Sequence, residues 1–213
     1  MDVKLELRVV ELLCSRLCHD LISPVSAANN GIELLTEFGE DLEGDAIPLI
    51  AESAKTAATR LEFFRAAYGL PGGEADVPLS LAQRLATELT QANGNVLGWV
   101  DKAGADGGAP EGTARLALNM VLLAGEALPR GGRIDVLLAQ PPAPPLMVAA
   151  AGEGAALSAE SLDALVLRPD TSDLTARSVH AYFTMRLANA WGMTVAADTE
   201  TPDRMELTAS PVA

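Results

Sequence analysis

Basic residues are scarce in this sequence. Its 213 residues hold 15 Lys and Arg against 29 Asp and Glu, a net charge of −14. Nucleic-acid binding draws on clustered Lys and Arg, so that partner is excluded, as is docking on an anionic membrane surface. Aromatics are also few, at 4% of residues, so a core built from the 49% apolar fraction is aliphatic and Ala-rich. Such a composition suits close-packed helices. No apolar run approaches the roughly 20 residues of a membrane span, and Met1-Asp2-Val3-Lys4 opens straight into an amphipathic pattern with no leader-like stretch. The expectation is a soluble, cytoplasmic protein.

Cysteine is almost missing too. Cys14 and Cys18 are the two present, and four residues apart on a helix they sit about 6 Å from each other at Cβ, poor geometry for a disulfide. The string C-x-x-x-C-H is one residue too long for haem attachment. A zinc site lacks further ligands, because the second of two histidines is the distant His180. Both cysteines are expected as thiols in the core or at its boundary.

The length allows one large or two small domains with a real core. Residues 2–38 carry a long helical pattern, with Val10, Leu13, Leu17, Leu21, Val25, Ala28, Ile32 and Leu35 stepping by three or four as one seam. Pro24 lies inside it and should bend the helix, lacking the N–H that bonds back one turn. Gly39 and Gly44 bracket an acidic turn. A second helix is predicted over 45–68, with Asp45 as N-cap and Gly69 as stop, and with Ile47, Ile50, Ala54, Ala57, Leu61 and Phe64 as its seam. These two helices make an antiparallel hairpin, which buries both seams best by pairing with a second copy into a four-helix bundle.

Residues 70–78 read as a Pro- and Gly-rich linker, which divides the chain into 1–70 and 78–213. The second part mixes types: helices over 80–90, 113–128, 158–165 and 174–190, and strands over 95–101, 133–139, 146–151, 193–198 and 204–210. Residues 104–112 form a Gly-rich loop without the Gly-Lys-Ser/Thr ending of a phosphate loop. Helices segregated against a mixed or antiparallel sheet define an α+β domain. Trp99 and Trp191 are expected in the core or at its boundary.

His19 is the candidate for chemistry. It falls off the seam marked by Leu17 and Leu21, so on a helix it faces solvent, where a neutral imidazole is a free nucleophile. Asp20 follows directly and can accept from one ring nitrogen, fixing the tautomer and freeing the other nitrogen to attack. Ser23, one turn on, can hold a water or touch a phosphoryl oxygen. Arg16, one turn before, can supply positive charge.

The run His19-Asp20-Leu21-Ile22-Ser23-Pro24 resembles the phosphoacceptor box of sensor histidine kinases, His-Glu/Asp-x-x-Ser/Thr/Asn-Pro. The stretches Leu13 to Asp20, Asn29 to Leu35, Arg115 to Met120 and Glu126 to Gly132 are similar to the ChpT-type histidine phosphotransferases of alphaproteobacteria, so that the resemblance covers most of the chain. It implies an α+β multi-domain chain: a helical hairpin that dimerises into a four-helix bundle, then an α/β sandwich resembling the histidine-kinase ATPase (Bergerat) fold. It also implies a relay in which His19 takes a phosphoryl group from the receiver aspartate of a hybrid histidine kinase and passes it to response-regulator receivers. Magnesium would come from the partner receiver, and the chain itself would need no cofactor. Asn29, Asn30 and Glu33 become candidate partner-surface residues.

The kinase ATP site is degraded in the same comparison. Kinases carry two Asn four apart on the helix before the nucleotide; here Asn119 is followed by Leu123. The Asp of the Asp-x-Gly-x-Gly box falls on Ala150, and the Gly-rich lid would span 171–179, which holds no glycine. Each loss removes a metal ligand, a base contact or phosphate-binding N–H groups. Competing readings are an ATP-dependent histidine kinase with an unusual site, a non-catalytic dimeric scaffold that binds receivers, and a phosphatase role through Ser23. His180 is expected to be structural.

Overall fold

The computed structural model describes residues 6–39, 43–69, 77–103, 110–140, 143–166 and 170–212. Two long helices come first, α1 (Leu7–Phe38) and α2 (Glu43–Tyr68), and they pack side by side as a hairpin. Helix α1 continues through Pro24. Helix α2 begins two residues before Asp45, which corrects the expected N-cap and puts Gly44 inside the helix. The expected turn at 40–42, the linker at 70–76 and the loop at 104–109 lie outside the described residues.

The rest is an α+β unit. Its elements are α3 (Leu79–Ala92), β1 (Val96–Asp101), α4 (Thr113–Glu126), β2 (Arg133–Leu138), β3 (Leu146–Ala151), α5 (Ala159–Val166), α6 (Val179–Ala190), β4 (Met193–Asp198) and β5 (Arg204–Pro211). The five strands run in the order β1-β2-β3-β5-β4. Only β1 and β2 are parallel, joined across α4; the remaining neighbours are antiparallel. Period-two alternation decides which face is covered. Ile134, Val136 and Leu138 of β2, Leu146, Val148 and Ala150 of β3, and Met205, Leu207 and Ala209 of β5 point into the core, while Arg133 and Asp135 point out.

Helix α4 is apolar nearly all round and is buried on almost every face, as such helices must be. It lies between the sheet and helices α2, α3 and α6. Gly112 precedes it at φ +82°, where a Cβ would come within 2.0 Å of the Trp191 ring. The helix expected from Leu174 starts only at Val179. Thr175 and Ser178 exchange side-chain bonds to each other's backbone N–H, which close a turn ahead of the helix.

The hairpin and the α+β unit share one core. Val9 and Leu13 of α1 and Phe63, Phe64 and Ala67 of α2 belong to the same buried cluster as α4 and the sheet, and each large side chain contributes about 2 kcal/mol by burial. The seams read from the sequence are therefore split. Leu13 and Phe64 are buried within the protomer, whereas Val10, Val25 and Ile32 of α1 and Ile47 and Leu61 of α2 are exposed. One α+β unit docked on one side of the hairpin covers only part of so wide an apolar band. Cys14 and Cys18 are exposed free thiols, a correction to the expected core or boundary placement, because no described residue of the chain covers their side of α1. Trp99 and Trp191 are half-buried.

Candidate functional site

His19 stands on the open side of α1 with its side chain 89% exposed. Its Nδ1 lies 3.4 Å from Oδ1 of Asp20, and with the ring so open Nε2 meets solvent. Ser23 is exposed one turn further on. Asp20 is half-buried, because its side of the helix faces the α+β unit. The structure thus brings His19, Asp20 and Ser23 together on two adjacent turns.

Arg16 is placed differently from its expected role. Its Nη2 donates to Glu126 Oε1 at 2.5 Å and its Nη1 to the carbonyl of Ala176 at 3.2 Å. The guanidinium anchors α1 to α4 and to the turn before α6, and does not stand free for a phosphoryl group. Asn29 and Glu33 are exposed and bonded to each other at 2.7 Å, and Asn30 is exposed beside them. At 1.5 Å per residue, Asn29 lies roughly 15 Å along the helix from His19, so these three form a separate patch.

Between α4, α6 and the end of α2 lies a polar network, partly buried, that the sequence does not announce. Glu126 Oε1 also receives His180 Nδ1 at 2.9 Å, and His180 Nε2 faces Asn119 Oδ1 at 3.3 Å. His180 is fully buried, as its structural reading expects, and burial pushes its pKa below the ordinary value against the opposing pull of Glu126. Asn119 donates to the carbonyls of Ala67 and Arg115. Arg115 adds bonds to the Ala67 and Tyr68 carbonyls. Tyr68 stacks edge-on to His180 and tilts against Phe183; its burial drives the phenol pKa up. Side chains of α4 and α6 thus hold the last turn of α2.

The turn carrying His19 has one more contact. Arg60 of α2 donates through Nη1 to the carbonyl oxygen of Asp20 at 2.5 Å. A cleft of about 230 Å³ opens beside it between hairpin and α+β unit, lined by Arg16, Asp20, Arg60, Asn93, Asn95 and Glu126 among others. Sequence reasoning missed Arg60, although Pro24 itself signals that the carbonyl four residues earlier needs another donor.

The segment where a kinase lid would lie is tied to α1. Thr171 donates to the Glu6 carboxylate, and Arg8 donates to the Leu174 carbonyl at 3.0 Å. Leu123 and Ala150 are fully buried in the core. Gly152 serves close packing, since a Cβ there would come within 2.5 Å of the Gly131 carbonyl. Among the described residues no group of three His, Cys, Asp or Glu side chains is placed to hold a metal, and no helix is long and apolar enough to cross a membrane.

Three comparisons bear on this site. Residues 79–203 match the model of the histidine phosphotransferase C-terminal domain family. Over 186 residues, 86% of this chain and 87% of its counterpart, the sequence is 37% identical to the protein phosphotransferase ChpT of Brucella abortus (strain 2308). A solved structure of a bacterial phosphotransferase superposes with a TM-score of 0.82 at 34% identity, covering 98% of both chains.

Proposed function

The chain belongs to the histidine phosphotransferase family, and on that premise we propose that His19 accepts and donates the phosphoryl group, passing it between receiver domains without use of ATP. The observation that carries this reading is the open imidazole of His19 on a helix whose next residue, Asp20, faces Nδ1. A carboxylate at Nδ1 favours the tautomer that keeps the lone pair on Nε2. That lone pair attacks the phosphorus of an aspartyl phosphate on a hybrid-kinase receiver; the P–N bond forms as the P–O bond to the aspartate breaks, and the carboxylate leaves. In the onward step an aspartate oxygen of a response-regulator receiver attacks, and the imidazole leaves. Such transfers depend mainly on positioning and electrostatics, so an exposed, oriented ring is most of what the chain must supply. In this reading Ser23, one turn on and exposed, would touch a phosphoryl oxygen or hold a water.

Independence from ATP is supported by the apolar Leu123 and Ala150 at nucleotide-site positions and by the attachment of 171–176 to α1. In this reading residues 1–70 are the phosphotransfer and dimerisation unit, and 78–213 an ATPase-like domain kept for contact. Pairing of two hairpins is supported by the exposed aliphatic side chains. Among the described residues, Leu7, Val10, Ile22, Val25, Ile32, Leu34, Ile47, Leu49 and Leu61 are exposed on the hairpin, against Val96, Val100 and Val212 elsewhere. Receivers would reach His19 beside the cleft, with Asn29, Asn30 and Glu33 as an outlying contact. Such contacts must be transient for turnover, and so modest in area.

The test is a labelling experiment with radioactive ATP, using the purified chain alone and then with a phosphorylated receiver domain. Label that appears only with the receiver, and vanishes in His19→Gln, is the expected result. Label from ATP alone would make the chain a kinase, and absence of label in both would leave only a receiver-binding scaffold.

A further inference from the structure

In a continuous α-helix each carbonyl accepts from the N–H four residues on. Pro24 stands four residues after Asp20 and has no N–H, so within α1 the carbonyl directly after His19 has lost its partner. The replacement donor comes from the other helix of the hairpin, Arg60 Nη1 at 2.5 Å from Asp20 O. Nη2 of the same guanidinium points to Asn93 Oδ1 at 3.4 Å, at the C-terminal cap of α3. Arg60 is half-buried, where a charge-assisted bond is stronger than a neutral one.

We propose that Arg60 is a positioning residue for His19. It closes the backbone gap that Pro24 opens, and it sets the turn that carries the imidazole against both α2 and the α3–β1 corner. Arg60 acts through the Asp20 backbone and does not touch the phosphoryl group. The geometry explains why arginine stands here: its fork addresses two acceptors on different elements, which the single ammonium of lysine does poorly. It also offsets the break that Pro24 makes in the hydrogen-bond ladder of α1. A helix interrupted next to its reactive residue would be free to tilt there, and a displacement of about 1 Å can slow a transfer step up to 100-fold.

This inference rests on His19 being the phosphoacceptor, and one experiment separates the two. Transfer from a phosphorylated receiver domain is measured for the wild type, Arg60→Met, Pro24→Ala and the double variant, with His19→Gln as the blank and circular dichroism melts to establish folding. The maximal rate and the half-saturating receiver concentration are fitted separately. Arg60→Met is expected to lower the maximal rate about tenfold, the scale of one charged hydrogen bond, with little change in half-saturation. In the Pro24→Ala background the N–H restored at position 24 serves the Asp20 carbonyl, so the further loss from Arg60→Met shrinks to within about twofold. If Arg60→Met does not fold, Arg60→Lys carries the test: it keeps one donor and should fall between wild type and blank, again recovering with Pro24→Ala. An equal loss in both backgrounds, a wild-type rate without Arg60, or a change confined to half-saturation each overturns the proposal. An unlabelled wild type overturns the reading of His19, and this one with it.

Discussion

Removing the Arg115 side chain tests how the hairpin is held to the rest of the molecule. Arg115 is 9% exposed on α4 and donates through Nε to the Ala67 carbonyl at 3.1 Å and through Nη2 to the Tyr68 carbonyl at 2.7 Å. Those carbonyls belong to the last turn of α2, which has no intrahelical donors left and carries the negative end of the helix dipole. Arg115→Leu removes two charged hydrogen bonds, each contributing about 1.5–3 kcal/mol. Ala67 keeps its bond from Asn119 at 3.0 Å, and the half-buried Tyr68 carbonyl can find water, so the loss falls at the low end, about 3 kcal/mol in total. In a chain of this size that lowers Tm by roughly 6–12 °C. Differential scanning calorimetry reads this directly, with Arg115→Lys, which keeps the charge but not the fork, expected at about half the shift. A Tm within about 2 °C of wild type for Arg115→Leu would refute the idea that α4 holds α2 through these carbonyls.

Two further outcomes are expected. His180 is buried against Glu126, Asn119 and Tyr68, with its pKa lowered chiefly by burial. Unfolding therefore takes up a proton below the ordinary histidine value, and this contribution to stability is complete above about pH 6.5 and is lost as pH falls from there towards the lowered folded value, by at most about 1.4 kcal/mol per unit. Urea midpoints between pH 7.5 and 5.5 should fall more steeply for wild type than for His180→Asn, and parallel slopes would contradict the assignment. Val25→Glu with Ile32→Glu places charges on the exposed aliphatic band of α1; light scattering should find the apparent mass halved relative to wild type, and a monomeric wild type would remove the proposed hairpin pairing.

Much of the architecture was legible in the chain itself. Helical periodicity over α1 and α2, period-two alternation in β2 and β3, and the apolar run of α4 located their elements, because each pattern is a local record of which face meets the core. Boundaries were less legible where side chains compete with the helix. Thr175 and Ser178 close a turn with their side chains and α6 starts after it, at Val179, and α2 opened before Asp45. His19 was legible because it departs from the seam, and a residue off the seam of an amphipathic helix must face outward.

The local pattern of residues determined by itself that there is a hairpin with an outward His19, next to Asp20 and four residues before Ser23. Only the tertiary structure decided what the charged residues around them do. Arg16 looked like a partner for phosphate and became the anchor to Glu126, while Arg60, which the sequence did not single out, became the donor to Asp20. The physical reason is reach. A helix pattern specifies the direction of a side chain from its own axis, but an arginine extends far enough to choose among acceptors on other elements, and those acceptors exist only once the chain has folded.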